Sequence, residues 1–427
     1  MFIRQALYIL PGFYWEKAPR EKIENRQLKK INGFLKNARS TVRYYNSNSI
    51  YSSTITSLDD IANFSIINKA IVREAGDSFY SEKYCNPGSF VSFRTSGSTG
   101  EPLDIRHDKK YVDYNSSMNV RRVLATKRYS PFFKSFQVSP MPRKQALYEK
   151  FGLFCRTRIP SDLPISEVKK IIMDNKPDCL ICFPVYLGDV VASMSEEELV
   201  AIRKFLKLIF TESEMLTDHQ RAYIEDKLKT EIFDDYASFE MLGIAYECSH
   251  HKNHIAEDKI YVEVLDDEGN PVPDGEEGNI VITSYLEKAM PLMRYSMGDK
   301  GILNSEPCPC GRTFKTLKLT QGRADHCIYL DNGVKIYTAT LSYLAIIVDG
   351  IREIYVYQDK EGKITVYYIP LDKDVDTDRT EKFIIDYFME KIGICPQVKS
   401  TDHIPKSKGG KAQYIYSELS EISPEYR

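Results

Sequence analysis

Nowhere in this chain do about 18 or more apolar residues run together, the length that a helix needs to cross a bilayer, so no transmembrane helix is expected. Charge of one sign is also missing. With 58 Lys and Arg against 60 Asp and Glu, the formal net charge is −2, and the clustered basic excess that marks nucleic-acid binding is not found. The nine cysteines are scattered without a regular disulfide framework, which fits a reducing cytoplasm better than a secreted disulfide scaffold. The opening Met1–Trp15 is apolar, but Pro11-Gly12 interrupts it and no small-residue cleavage site follows. It is expected to pack on the protein's own surface or on a second subunit, with interfacial membrane contact as the alternative. No internal repeat or low-complexity tract is apparent, and Gly and Pro act as local punctuation.

What is present points to a soluble α/β enzyme of more than one domain. A chain of 427 residues, 42% hydrophobic, has material for two to four units at about 100–200 residues each. Apolar runs such as Cys179–Phe183 and Leu206–Phe210 follow helical stretches, which implies βαβ units and a largely parallel sheet. Pro19–Arg39 has the spacing of an amphipathic helix. Beyond residue 325 the pattern changes to a compact α+β unit. There the segments 351–357 and 363–369 read as a hairpin around Glu361-Gly362, Arg379–Ile392 as a helix and Pro396–Ile404 as a further strand. Cys179 and Cys182 imitate a redox pair. On a strand, however, residues three apart face opposite ways, so structural core is the preferred reading and a metal or redox site the alternative.

The run Phe93-Arg-Thr-Ser-Gly-Ser-Thr-Gly-Glu-Pro102 is the strongest local signal. Gly97 and Gly100 permit a tight loop, while Thr95, Ser96, Ser98 and Thr99 place hydroxyls beside exposed N–H groups, a nest suited to phosphate. It lacks the Lys that follows the second Gly of a Walker loop, so an ordinary P-loop NTPase is disfavoured.

Set between strand-like segments, this run resembles the phosphate loop of adenylate-forming enzymes, and four later segments resemble that family's elements in the same order. They are Asp234–Met241 (DDYASFEM), Pro291–Asp299 (PLMRYSMGD), Gln321–Asp325 (QGRAD) and Pro405–Ala412 (PKSKGGKA). The wording Pro-Leu-Met-Arg-Tyr, followed by Cys-Pro-Cys-Gly-Arg, is similar to the phenylacetate–CoA ligase branch and its capsule-biosynthesis relatives. The resemblance spans about residues 30 to 420. It implies an N-terminal AMP-binding domain over 1–323, a mobile C-terminal lid domain over 324–427, and a hinge at Asp325.

The implied chemistry is ATP-dependent activation of an acyl or aryl carboxylic acid to an acyl-adenylate, then transfer to a thiol, most simply that of coenzyme A. Lys411 would bridge the carboxylate and the α-phosphate, where a fixed charge acts most strongly in the transition state. Lys408 is the alternative, and a solvated surface loop the bland reading of both. Glu240 would help to hold Mg²⁺ on phosphate oxygens. Asp299 would accept from the ribose hydroxyls, Arg323 would assist there or at the phosphate, and Tyr236 would pack on adenine beside Ser238. Ala237 stands where the family often has Gly. Segments Ser139–Lys144, Thr211–Glu214 and Tyr236–Leu242 are expected to line the acyl pocket. A carrier-protein thiol in a capsule or natural-product pathway could replace CoA, and a non-catalytic nucleotide-binding relative is the reading from another class. The family prior for assembly is a homodimer.

Cys248, His254, Cys308 and Cys310 form a second candidate site, since three thiolates and one imidazole make a plausible tetrahedral Zn²⁺ set. His250 and His251 compete with His254, which is preferred because it precedes Ile-Ala-Glu-Asp, as a His does in similar ligases. Four protein ligands would leave no open position, so the zinc would be structural. The zinc would sit on an excursion of the N-terminal domain over 248–310, and reduced cysteines on a surface excursion are the alternative.

Overall fold

The computed structural model describes residues 2–94, 103–139, 147–160, 163, 165–212, 215–321, 327–330, 335–337, 348, 351–370, 375–404 and 415–421. Its first layer is helical: α1 (Phe2–Trp15), α2 (Arg20–Thr41), α3 (Arg43–Ser47) and α4 (Lys69–Ala75). In α2, Ile23, Gln27, Ile31, Phe34, Leu35 and Ala38 are buried, the stripe that a 3.6-residue period lays on one face. The helix α1 runs through Pro11, which sequence reading takes as a break. Pro11 and Leu7 are both exposed, so the Leu7 carbonyl that loses its donor lies on the solvated face.

Strands β1 (Phe90–Arg94) and β2 (Asp104–Asp108) form an antiparallel pair flanking residues 95–102. From β2 the chain enters α5 (Lys109–Ala125), capped by the Asp108 side chain, which accepts from Lys110 N and Tyr111 N. Helix α1 lies on α5. Tyr8 and Tyr114 rings sit 5.2 Å apart, and a Cβ on Gly12 would fall 2.6 Å from Arg121 Nε, so only Gly fits there.

The main sheet has eleven strands: β3 (Ser135–Ser139), β4 (Arg156–Pro160), β5 (Cys179–Cys182), β6 (Leu208–Glu212), β7 (Ile232–Ser238), β8 (Leu242–Glu247), β9 (Asn253–Ile255), β10 (Tyr261–Leu265), β11 (Glu277–Thr283), β12 (Tyr295–Asn304) and β13 (Thr316–Gln321). Their order is β10-β11-β12-β13-β9-β8-β7-β6-β5-β3-β4. Only the run β4-β3-β5-β6-β7 is parallel, joined through α6 (Ile165–Asn175), α7 (Pro184–Ala192), α8 (Glu196–Ile202) and α9 (Asp218–Leu228). From β7 onward all pairings are antiparallel, which corrects the expectation of a largely parallel sheet. The cause is connection length: the β7–β8 and β8–β9 links are too short for a helical crossover. Residues 248–310 are likewise no excursion, since β9 to β12 are strands of this sheet. On β5, Cys179 and Cys182 belong to different apolar clusters on the two sheet faces.

Residues from 327 onward build their own core. Here β14 (Cys327–Tyr329) pairs with β15 (Lys335–Tyr337), and β16 (Ile351–Gln358), β17 (Ile364–Pro370), β18 (Gln397–Ser400) and β19 (Ile415–Ser417) form a sheet in the order β18-β17-β16-β19. Helix α10 (Thr377–Lys391) packs Ile384 and Phe388 onto it. The buried Gln358 amide crosses between strands, donating to Tyr329 O at 2.6 Å while its carbonyl accepts from Tyr329 N and Ser417 Oγ, both at 2.8 Å. The expected hinge at Asp325 lies outside the described residues. Among those described, no helix is long and apolar enough to cross a membrane.

Candidate active site and metal centre

The parallel strands β5, β6 and β7 end on one edge of the sheet, and the first candidate site gathers there. β7 turns back at Phe239–Met241 into β8, with a bulge between Tyr236 and Ala237. Ser238 Oγ accepts from Met241 N at 3.1 Å and closes the turn, and Leu242 takes a left-handed φ of 59° to leave it. Tyr236 is buried, and its hydroxyl donates to Asp299 Oδ2 at 2.6 Å. Two segments 63 residues apart are thereby joined. Ala237 is exposed at the end of β7. Glu240, at the crest of the turn, is only 5% exposed, yet its carboxylate makes no hydrogen bond or ion pair with the described residues. A carboxylate left without a protein partner among the described residues is the kind of oxygen donor that a hard ion such as Mg²⁺ takes.

Several groups that sequence reasoning missed support the same edge. Arg122 of α5 is buried, pairs with Asp235 Oδ2 at 2.5 Å and lies 3.8 Å from Glu212 Oε2 at the end of β6. Gln137 Nε2 donates to Glu212 Oε1 at 2.6 Å. Next to it, Asp234 accepts from Thr211 Oγ1 at 2.5 Å, and burial pushes its pKa up to about 7. His107 of β2 lies between Phe239 O, 2.8 Å from Nε2, and Glu287 Oε2, 2.6 Å from Nδ1. Phe239 O can only accept, so Nε2–H donates to it and Nδ1 is left facing the Glu287 carboxylate. Glu287 in turn accepts from the backbone N–H groups of Asp108, Lys288 and Ala289. The partners here are largely backbone or distant in sequence, so no residue spacing announces them. Only the conspicuous Asp234-Asp235 pair inside an apolar strand hinted that a buried cation must lie opposite.

The second site joins the β8–β9 and β12–β13 connections. The ligand atoms of Cys248, His254, Cys308 and Cys310 all lie within 4.8 Å of one another. Cys248 Sγ is 3.7 Å from Cys308 Sγ, and Cys310 Sγ is 3.3 Å from His254 Nε2. Tetrahedral Zn²⁺ with Zn–S near 2.3 Å demands S···S edges of about 3.8 Å, so the spacing fits the ion. His254 is fully buried, with Nδ1 donating to Phe314 O at 2.8 Å, which leaves the Nε2 lone pair turned toward the thiols. Burial lowers the His254 pKa to about 4, keeping the ring neutral as a ligand must be. The competing His251 is occupied by Glu247 and Glu231, at 3.0 and 3.1 Å. Arg312 lies beside Cys310, and its Nε donates to Glu16 Oε2 at 2.9 Å; Arg121 Nη1 reaches Glu16 Oε1 at 3.1 Å.

Thr95, Ser96, Gly97, Ser98, Thr99, Gly100, Arg323, Asp325, Lys408 and Lys411 lie outside the described residues, as do parts of the expected pocket segments, 140–144 and 213–214.

No protein-family model matches the chain. It is 25% identical over 343 residues to a phenylacetate–coenzyme A ligase of Aromatoleum evansii, covering 77% of this chain and 76% of that protein. A phenylacetate–coenzyme A ligase of Pseudomonas putida is 22% identical over 425 residues, covering 94% and 95%. Among solved structures, 2-hydroxyisobutyryl-CoA ligase in the postadenylation state, in complex with R3-HIB-AMP, superposes with a TM-score of 0.77 at 17% identity, over 96% of this chain and 92% of that one. The anthranilate CoA ligase AuaEII with anthranoyl-AMP gives 0.56 at 16% identity, over 75% and 64%. The fold is that of the adenylate-forming CoA ligases. In sequence the chain is similar to phenylacetate–coenzyme A ligases.

Proposed function

We propose that this protein activates a small carboxylic acid with ATP and transfers the acyl group to coenzyme A. The observation that carries the reading is the Tyr236–Asp299 hydrogen bond beside the unpaired Glu240, which unites the motif segment at the end of the parallel strand β7 with the one in β12. In the first step a substrate carboxylate oxygen attacks the α-phosphorus of ATP, the bond to the bridging oxygen breaks, and pyrophosphate leaves. In the second the CoA thiolate attacks the acyl carbon, a C–S bond forms, and the C–O bond to AMP breaks.

Each assigned residue has a defined task. The 95–100 loop is assigned to the phosphates, and Lys411 to the charge that develops as carboxylate and phosphate combine. Asp299, which accepts from the Tyr236 hydroxyl through Oδ2, is assigned to the ribose hydroxyls, and Tyr236 to packing on adenine. Glu240 would hold Mg²⁺, which neutralises phosphate charge when bound. Zn²⁺ at Cys248, His254, Cys308 and Cys310 has a structural task, because all four positions are filled by protein. We assign residues 1–323 and 324–427 to separate domains that reorient about Asp325 between the two steps. Reduced thiols of this kind fit a cytoplasmic setting.

The test is ATP–pyrophosphate exchange across a panel of aryl and acyl acids, followed by thioester formation with CoA. An acid that drives exchange and yields a CoA thioester is expected. Exchange without a thioester would move the acceptor to a carrier protein, and no exchange with any acid would overturn the reading. Lys411→Ala is expected to lose about 10²-fold or more of the exchange rate while still binding ATP.

A further inference from the structure

The turn that bears Glu240 is held by a buried ammonium that the chemistry above does not use. Lys259, in the turn before β10, is fully buried. Its Nζ donates to Met241 O at 2.9 Å, to Asn115 Oδ1 at 3.1 Å and to Gly243 O. Met241 O also accepts from the Tyr111 hydroxyl at 2.7 Å, and the ammonium stands 5.0 Å over the Tyr111 ring. Asn115 Oδ1 additionally accepts from Gly243 N at 2.9 Å. On the other flank His107 donates to Phe239 O. The carbonyls of residues 239, 241 and 243 are therefore all taken by buried side chains, and Glu240 lies between the first two.

This arrangement costs more than stability alone would justify. An ammonium out of water is expensive, and among the described residues Lys259 has no carboxylate within ion-pair distance. The carbonyl of Met241 already has a neutral donor in Tyr111, so an apolar side chain at 259 would fill the space more cheaply. What the three-donor ammonium adds is direction. It fixes Met241 O, Gly243 O and the Asn115 amide at one point, against the left-handed Leu242 between them, and so limits how the crest of the turn can tilt.

We propose that Lys259 is a positioning residue for the phosphate-bound cation: by clamping the turn 239–243 from behind, it aims the Glu240 carboxylate at the place where Mg²⁺ is held. The inference rests on the reading of Glu240 as the carboxylate that faces Mg²⁺. It assigns Lys259 no contact with substrate, and Tyr111 serves as the secondary donor to the same turn.

The experiment measures ATP affinity of the full chain by calorimetry, once with Mg²⁺ and once with EDTA, and takes the ratio of the dissociation constant in EDTA to that in Mg²⁺. Lys259→Met is expected to lower that ratio about tenfold, the scale of one charge-assisted hydrogen bond, with the EDTA value unchanged. Tyr111→Phe is expected to move the ratio the same way but by less, and it decides the matter if Lys259→Met does not fold. Glu240→Ala separates the two claims. If it leaves the ratio intact, the assignment of Glu240 falls; if it abolishes the Mg²⁺ gain while folded Lys259→Met and Tyr111→Phe both keep it, the positioning role falls. A general loss of ATP affinity in both buffers would also overturn the proposal, since a merely structural residue would act that way.

Discussion

Two turns of one sheet, 239–241 between β7 and β8 and 308–311 between β12 and β13, are immobilised by opposite means. In the first, side chains from elsewhere grip the backbone carbonyls and leave Glu240 without a protein partner among the described residues. In the second, the turn's own Cys308 and Cys310 converge with Cys248 and His254, and Gly311 at φ 81° lets the chain fold back over them. The difference separates two duties. A turn that must present a side chain to a ligand is held by its main chain, whereas a turn that need only stay in place can commit its side chains.

The largest test of this contrast is to remove the convergent side chains. Cys308→Ser with Cys310→Ser is expected to release about one equivalent of Zn²⁺ per chain and to lower the thermal midpoint by roughly 5–10 °C. Metal analysis and calorimetry read both, and protein purified without chelator that holds no zinc would end the metal assignment. Next comes the converse case. Glu240→Ala is expected to cost about 10²-fold in ATP–pyrophosphate exchange, the scale of one lost electrostatic element. Its thermal midpoint should stay near wild type, because the carboxylate stabilises no described contact. A midpoint drop comparable to that of the cysteine pair would erase the distinction between the turns.

A smaller effect sharpens it. A Cβ on Gly243 would run into the Met118 methyl and Asn115 Oδ1, so Gly243→Ala pushes on the clamp from within the sheet. Because Met118 is flexible, the expected destabilisation is about 1–3 kcal/mol, readable by denaturant unfolding, with a parallel fall in exchange rate. An exchange rate equal to wild type would mean that the turn tolerates displacement. The smallest effect concerns pH. Burial raises the Asp234 pKa to about 7, above its unfolded value, so its contribution is fully present below about pH 4 and is lost as pH rises through 7. Asp234→Asn should therefore gain on the order of 1 kcal/mol over wild type at pH 8 and lose that advantage near pH 4. Parallel stability curves across that range would refute the assignment.

How much of this was legible in the sequence differs between the same two turns. Cys308-Pro-Cys310 and the outlying Cys248 and His254 could be read as a ligand set because metal chemistry uses few residue types. Tyr236, Glu240 and Asp299 were legible as motif members, though not the hydrogen bond between the first and last. Lys259, His107 and Arg122 were invisible, because their partners are carbonyl oxygens or carboxylates far along the chain, and such contacts leave no spacing. In the fold, the βα alternation up to β7 was readable from apolar runs between helical stretches. The antiparallel half was not, although the Asp267-Glu-Gly-Asn270 turn between β10 and β11 carried a hairpin signal. Helix α1 was missed because a Pro-Gly pair reads as a break where the solvent-facing side of a helix tolerates it.

The position of Glu16 has a consequence for synthesis. Its carboxylate needs Arg121 and also Arg312, a residue 296 positions later, before both of its oxygens are matched. At ribosomal rates of ~5–20 residues per second, that second partner emerges ~15–60 s after the helix that precedes Glu16. This helix is thus among the last elements to complete its seat, and for that interval its aromatic and leucine side chains are carried in the nascent chain without their final anchor.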